Sequence, residues 1–195
     1  MSTTPHPDTF MPALRAVQQL KRRSFLHAGA SVLALGSLTS VGALAAGTPG
    51  GLKFQSEAEA AVFLRIAQVS LPTQGTQLTP WTAEGLLGTL DAALLAGMEP
   101  HVLAGLKGGV QYFNEGPQAT LGQRFTALDD AQAARFLDEW AASAVPPQRA
   151  LAMGLKKLVQ LSYWANPATW PPLGYGGPLT RQRGFKQLGN APMPR

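Results

Sequence analysis

The sequence predicts an all-α fold, an irregular bundle of about five helices, and three observations predict it. From residue 53 onward, apolar residues recur at three- and four-residue spacing, the period of one helix face. Serine, aspartate and proline stand at the starts of these runs, where helices take their caps and first residues. No stretch shows the strict alternation of a half-buried strand.

The first helix opens at Ser56-Glu57-Ala58-Glu59, a capping box in which the Ser56 hydroxyl and the Glu59 carboxylate each meet an otherwise unpaired backbone N–H. Val62, Phe63, Ile66, Ala67 and Val69 form its apolar face, and Pro72 with the polar stretch 73–79 ends it. A second helix is expected from near Pro80 to about Gly97, with Leu86, Leu87, Leu90 and Leu94 on one face. A third follows Pro100 through Val102, Leu106, Val110 and Phe113. Gly105, Gly108 and Gly109 make it either weak on propensity or very closely packed. Asp129 caps the fourth, with Gln132 at its third position, and Ala133, Phe136, Leu137 and Trp140 are its buried side. Pro146 and Pro147 start the last, where Leu151, Leu155, Leu158 and Ser162 share a face and Lys156, Lys157 and Gln160 lie off it. Past Asn166, prolines and glycines rule out a long helix, giving an aromatic, Pro/Gly-rich non-helical C-terminal segment. Tyr163, Trp164, Trp170 and Tyr175 fall within thirteen positions there, more apolar bulk than a structureless tail carries.

Ahead of these helices stands a leader. Lys21-Arg22-Arg23-Ser24-Phe25-Leu26 precedes nineteen uncharged residues, Ala28 to Ala46, and Ala43-Leu44-Ala45 offers an A-x-A cleavage site with scission after Ala45 or one residue later. Arg22 and Arg23 are adjacent, and Phe25 and Leu26 sit at the offsets of R-R-x-F-L. The apolar stretch is diluted by glycine, serine and threonine, which favours the twin-arginine route over the general one and a cleaved signal over a membrane anchor. The expected organisation is a signal peptide at 1–46, a helical domain at 47–180 and a basic tail at 181–195, with a periplasmic destination.

The formal net charge of +5 is unevenly spread: the leader carries +3, residues 47–180 carry eight basic and ten acidic side chains, and the last fifteen residues carry +4. A slightly acidic folded middle argues against a nucleic-acid-binding domain, although the tail could touch an acidic partner. The chain has no cysteine, which removes c-type haem attachment, iron–sulfur ligation, cysteine-based zinc sites and disulfides.

A catalytic constellation is equally hard to assemble. Of three histidines, His6 and His27 belong to the leader, leaving His101, which reads as a surface residue at a helix start. Neither H-x-x-x-H nor G-x-S-x-G occurs. Gly174-Tyr175-Gly176-Gly177 lacks the strand, helix and lysine of a phosphate loop, and Pro178 removes an N–H such a loop would use. Asp129-Asp130 and Asp138-Glu139 are adjacent pairs that point to different sides of a helix, which suits capping and solvation. No catalytic, cofactor-binding or metal residue is therefore assigned in this chain.

The stretch Leu161-Ser162-Tyr163-Trp164-Ala165-Asn166-Pro167-Ala168-Thr169-Trp170, followed by Leu173-Gly174-Tyr175-Gly176-Gly177-Pro178, resembles the C-terminal signature of the gluconate 2-dehydrogenase subunit 3 family. Phe125-x-x-Leu128 with Phe136-Leu137-x-x-Trp140, and a twin-arginine leader before a short helical domain, are similar to that family as well. The resemblance covers roughly residues 54–180 and implies a non-catalytic small subunit. Its partner would be a large FAD-dependent subunit of the glucose–methanol–choline (GMC) oxidoreductase type that oxidises an alcohol or sugar. The small subunit would aid that partner's maturation and carry it through the twin-arginine translocase, and a cytochrome c subunit with haem would take the electrons onward. The resemblance puts partner contact on Tyr163, Trp164, Trp170, Gly174, Tyr175, Gly177 and Pro178, while the same aromatics are equally suited to cap this domain's own core. The alternative function is a stand-alone periplasmic binding protein holding a small hydrophobic ligand between its helices, with the aromatic segment as a lid.

Overall fold

The computed structural model describes residues 51–184. The leader, with Arg22, Arg23, Phe25, Leu26, Ala43 and Ala45, lies outside the described residues, as does the chain from 185 onward. Among the described residues the fold is all-α: seven α-helices, no strand, and several 3₁₀ turns. Five helices are long: α1 (Glu57–Ser70), α2 (Ala83–Thr89, continued as a π-helical turn over Leu90–Leu95), α3 (Pro100–Glu115), α5 (Asp130–Ala141) and α6 (Pro146–Trp164). The single turns α4 (Gln118–Leu121) and α7 (Leu179–Gln182) complete the set.

Three of the long helices start where a side chain accepts from one of their first N–H groups, and the other two start at proline. Ser56 and Glu59 form the reciprocal capping box, at 3.3 and 2.7 Å, and the Asp129 carboxylate accepts from the Gln132 N–H at 2.8 Å. Pro100 and Pro146 occupy first helical positions, where a missing N–H costs nothing. The second helix begins at Ala83 rather than near Pro80, because Thr82 supplies the cap by accepting from the Gly85 N–H at 3.1 Å. It ends at Leu95, short of Gly97.

Helix α6 is the axis of the bundle and packs against α1, α2, α3 and α5. Its Leu151, Leu155, Leu158 and Ser162 stripe is buried, and so are Ala150, Ala152, Gly154 and Val159 on adjoining sides, as a central helix requires. Helix α3 forms over its full length despite its glycines, and Gly109 is buried among its neighbours, so close packing replaces propensity. Phe113 on α3 is the hub of a ring cluster, with centroids 4.8 Å from Phe125, 5.3 Å from Phe136 and 5.3 Å from Trp140, all tilted edge-on.

Two polar features join elements across the core. Arg65 of α1, its side chain only 12% exposed, donates to Asp130 at 2.6 Å and to the Leu128 carbonyl, which holds α1 to the start of α5. Asp91, 5% exposed, points inward from the π turn and accepts the backbone N–H groups of Lys53 and Phe54, each at 2.9 Å. The extra residue in that turn shows in the Ala96 N–H, which reaches the Asp91 carbonyl five residues back. No helix among the described residues is long and apolar enough to cross a membrane.

Candidate docking surface

Beyond α6 the chain holds itself in place by a series of short-range bonds. Asn166 accepts from the Ala168 N–H at 3.0 Å and opens a 3₁₀ turn over Pro167–Thr169; a second covers Pro171–Leu173. The chain then reverses at Gly174, and the Tyr175 N–H returns to the Trp170 carbonyl at 3.2 Å. The Trp170 indole N–H donates to the Trp164 carbonyl at 2.9 Å, while its ring meets Tyr175 edge-on at 5.3 Å. Gly177 lies buried under that ring with φ at +94°; a side chain there would be strained by the backbone and would sit 3.1 Å from the indole. Pro178 leads into α7, whose Gln182 donates back to the Gly177 carbonyl at 2.8 Å. The segment contains no long helix, as its prolines dictate, and its short turns make a lobe with fixed side-chain directions.

A second segment joins this lobe from far away in sequence. The Tyr163 hydroxyl donates to the Thr79 carbonyl at 2.8 Å, and the Thr79 hydroxyl donates to the Ala168 carbonyl at 2.9 Å. Burial pushes the Tyr163 hydroxyl above its ordinary pKa, which favours the protonated form that donates to Thr79. Residues 72–83 thereby lie beside the turn that follows α6, and Trp81 among them is half-buried against the core.

The sequence-predicted aromatics divide between inside and outside. Tyr163 is 3% exposed and its ring belongs to the core, stacked edge-on with Trp164 at 4.7 Å. Trp164 and Trp170 are half-buried, and Pro178 is half-buried beside the buried Gly177. Tyr175 is 48% exposed and stands out with Leu173 at 55% and Leu179 at 63%. Sequence reasoning missed Leu179, and it missed Trp81 and the whole 72–83 contribution. A signal existed: residues 72–83 and 161–180 contain no Asp, Glu, Lys or Arg at all, and they hold three of the chain's four tryptophans.

No protein-family model, curated protein or solved structure matches the chain. Its function therefore has to be argued from the surface itself. The carboxylates singled out in the sequence have structural partners where the contacts are clear: Asp129 caps α5, Asp130 takes Arg65 and Gln68, and Asp138 faces Lys156 at 3.7 Å. His101 is exposed at the start of α3. Among the described residues no three His, Cys, Asp or Glu side chains gather closely enough to hold a metal ion. A cavity between Phe54, Phe63, Leu95, Leu106 and Val110 measures about 10 Å³, room for a single water.

Proposed function

We propose that this chain is the non-catalytic small subunit of a periplasmic FAD-dependent alcohol or sugar dehydrogenase complex, resembling the gluconate 2-dehydrogenase subunit 3 family. It binds the GMC-type flavoprotein, assists its maturation and takes it through the twin-arginine pathway on the leader around Arg22 and Arg23. A cytochrome c subunit receives the electrons. FAD and haem belong to those partners.

One observation carries this reading. Residues 72–83 and 161–180, joined through Thr79, contain no charged side chain and are rich in tryptophan, tyrosine and proline, in a chain where 14% of residues are charged. Interface centres are depleted of charge and enriched in aromatics in the same way. Leu173, Tyr175 and Leu179 stand exposed on this lobe, where a folded partner would bury them. The stand-alone ligand-binding reading has no comparable observation behind it: the cavity between Phe54, Phe63, Leu95, Leu106 and Val110 has room for about one water.

The test is co-expression and co-purification of the full chain with a GMC-type FAD-dependent dehydrogenase from the same genome. The wild-type pair is expected to elute together and yellow. Replacing Leu173 and Tyr175 with Asp should weaken the pair by about 30-fold or more, the scale of losing central contacts, with helicity and melting of the small subunit unchanged. A wild-type chain that elutes alone, leaving the flavoprotein behind, would overturn the proposal.

A further inference from the structure

The charge-free lobe ends at exposed basic residues on the α7 side and at exposed Glu84 where residues 72–83 run into α2. No Asp or Glu occurs after Glu139, while seven Lys or Arg residues do. Those on α6 are answered within the fold, Lys156 by Asp138 at 3.7 Å and Arg149 by the Ser143 carbonyl at 2.5 Å. Helix α5, which packs along α6, supplies Asp138 to Lys156. Arg181 and Arg183 are in a different position. They are exposed at the end of α7, and the segments bonded to their lobe, 72–83 and 161–180, contain no carboxylate to offer them. Lys186 and Arg195 continue the same sign in the sequence.

We infer that the partner presents to this lobe an apolar centre, matching Leu173, Tyr175 and Leu179, bordered on one side by carboxylates that face Arg181 and Arg183. The inference rests on the small-subunit reading and adds the chemistry of the partner's docking face. Exposed rim charges of this kind act mainly on the rate of encounter and on partner choice, because solvent and salt screen them. An anionic bilayer also attracts arginine beside leucine and tyrosine. The lobe suits a folded surface better, because Trp170 is tied to the Trp164 carbonyl and set between Tyr175 and Gly177, and an indole held this way is not free to move into an interfacial lipid layer.

The experiment measures association of the full chain with the flavoprotein at low and high NaCl, for wild type, R181E/R183E and R181K/R183K. Association should slow about tenfold or more as salt is raised, and to a similar degree in the glutamate variant at low salt, with dissociation little changed and the lysine variant near wild type. Both arginines are exposed, and unchanged melting of the glutamate variant would show that the lobe still folds. Association that ignores both salt and charge reversal overturns the inference while leaving the small-subunit reading intact. Flotation with phosphatidylglycerol vesicles that is lost in R181E/R183E, with flavoprotein association unaffected, assigns the arginines to lipid and overturns it too. Absence of any flavoprotein binding by wild type removes both readings together.

Discussion

Phe113→Ala is expected to destabilise the protein by about 3–5 kcal/mol, the range for emptying a buried phenylalanine site. Phe113 has no exposed surface and its ring meets Phe125, Phe136 and Trp140, which arrive from a 3₁₀ turn and from α5. Removing it leaves a cavity that these rings cannot easily fill, since each is also fixed by its own backbone element. Phe125 sits beside Thr126, whose N–H is held by Asn114 at 3.1 Å, and Phe136 and Trp140 lie on one face of α5. Thermal melting of the full chain should fall by roughly 10–20 °C, with Phe113→Leu falling much less because it keeps most of the volume. An alanine variant that melts within a few degrees of wild type would mean that the α3–α5 contact is not the stabilising core described here.

Asp91→Ala is expected to cost about 2–4 kcal/mol, from two charge-assisted bonds to backbone N–H groups in a largely buried setting. The carboxylate sits 5% exposed and takes both Lys53 and Phe54, so it secures the stretch through which the chain enters α1. Leu52 and Phe54 pack on the core from that same stretch and depend on it. Asp91→Asn keeps one acceptor oxygen but turns an NH₂ toward a backbone N–H, so it should recover only part of the loss. Hydrogen exchange gives the specific readout: the amides of Lys53 and Phe54 should exchange fast in the alanine variant, while those in the middle of α6 speed up only in proportion to the loss of global stability. Equal protection of Lys53 and Phe54 in both proteins would show that the carboxylate is not what holds them.

The elements that the sequence revealed are those whose signals are local. The Ser56 capping box, the Asp129 cap, Pro100 and Pro146 each act within one turn, and the 3.6-residue stripes on α1, α5 and α6 continue from them. What stayed hidden depends on groups far apart in the chain. Asp91 looks like an ordinary helix-surface acid until Lys53 and Phe54, thirty-eight and thirty-seven positions away, supply the donors that draw it inward and widen the turn around it. Tyr163 and Tyr175 are alike as sequence, and each was equally able to face core or partner. The Thr79 carbonyl, eighty-four positions from Tyr163, decides that Tyr163 turns inward. The proposed docking surface was legible as a density of aromatic, proline and glycine residues after α6. Its second half, residues 72–83, was not, because only folded contacts such as Thr79 with Ala168 bring the two charge-free stretches side by side.

We propose that a folded flavoprotein crosses the membrane on this chain's leader. Changing Arg22 and Arg23 to Lys in cells producing both proteins, then fractionating and assaying FAD-dehydrogenase protein in each compartment, tests it most directly. The account predicts that the flavoprotein stays in the cytoplasm together with the small subunit. Unchanged delivery of the flavoprotein to the periplasm, with only the small subunit held back, would contradict it.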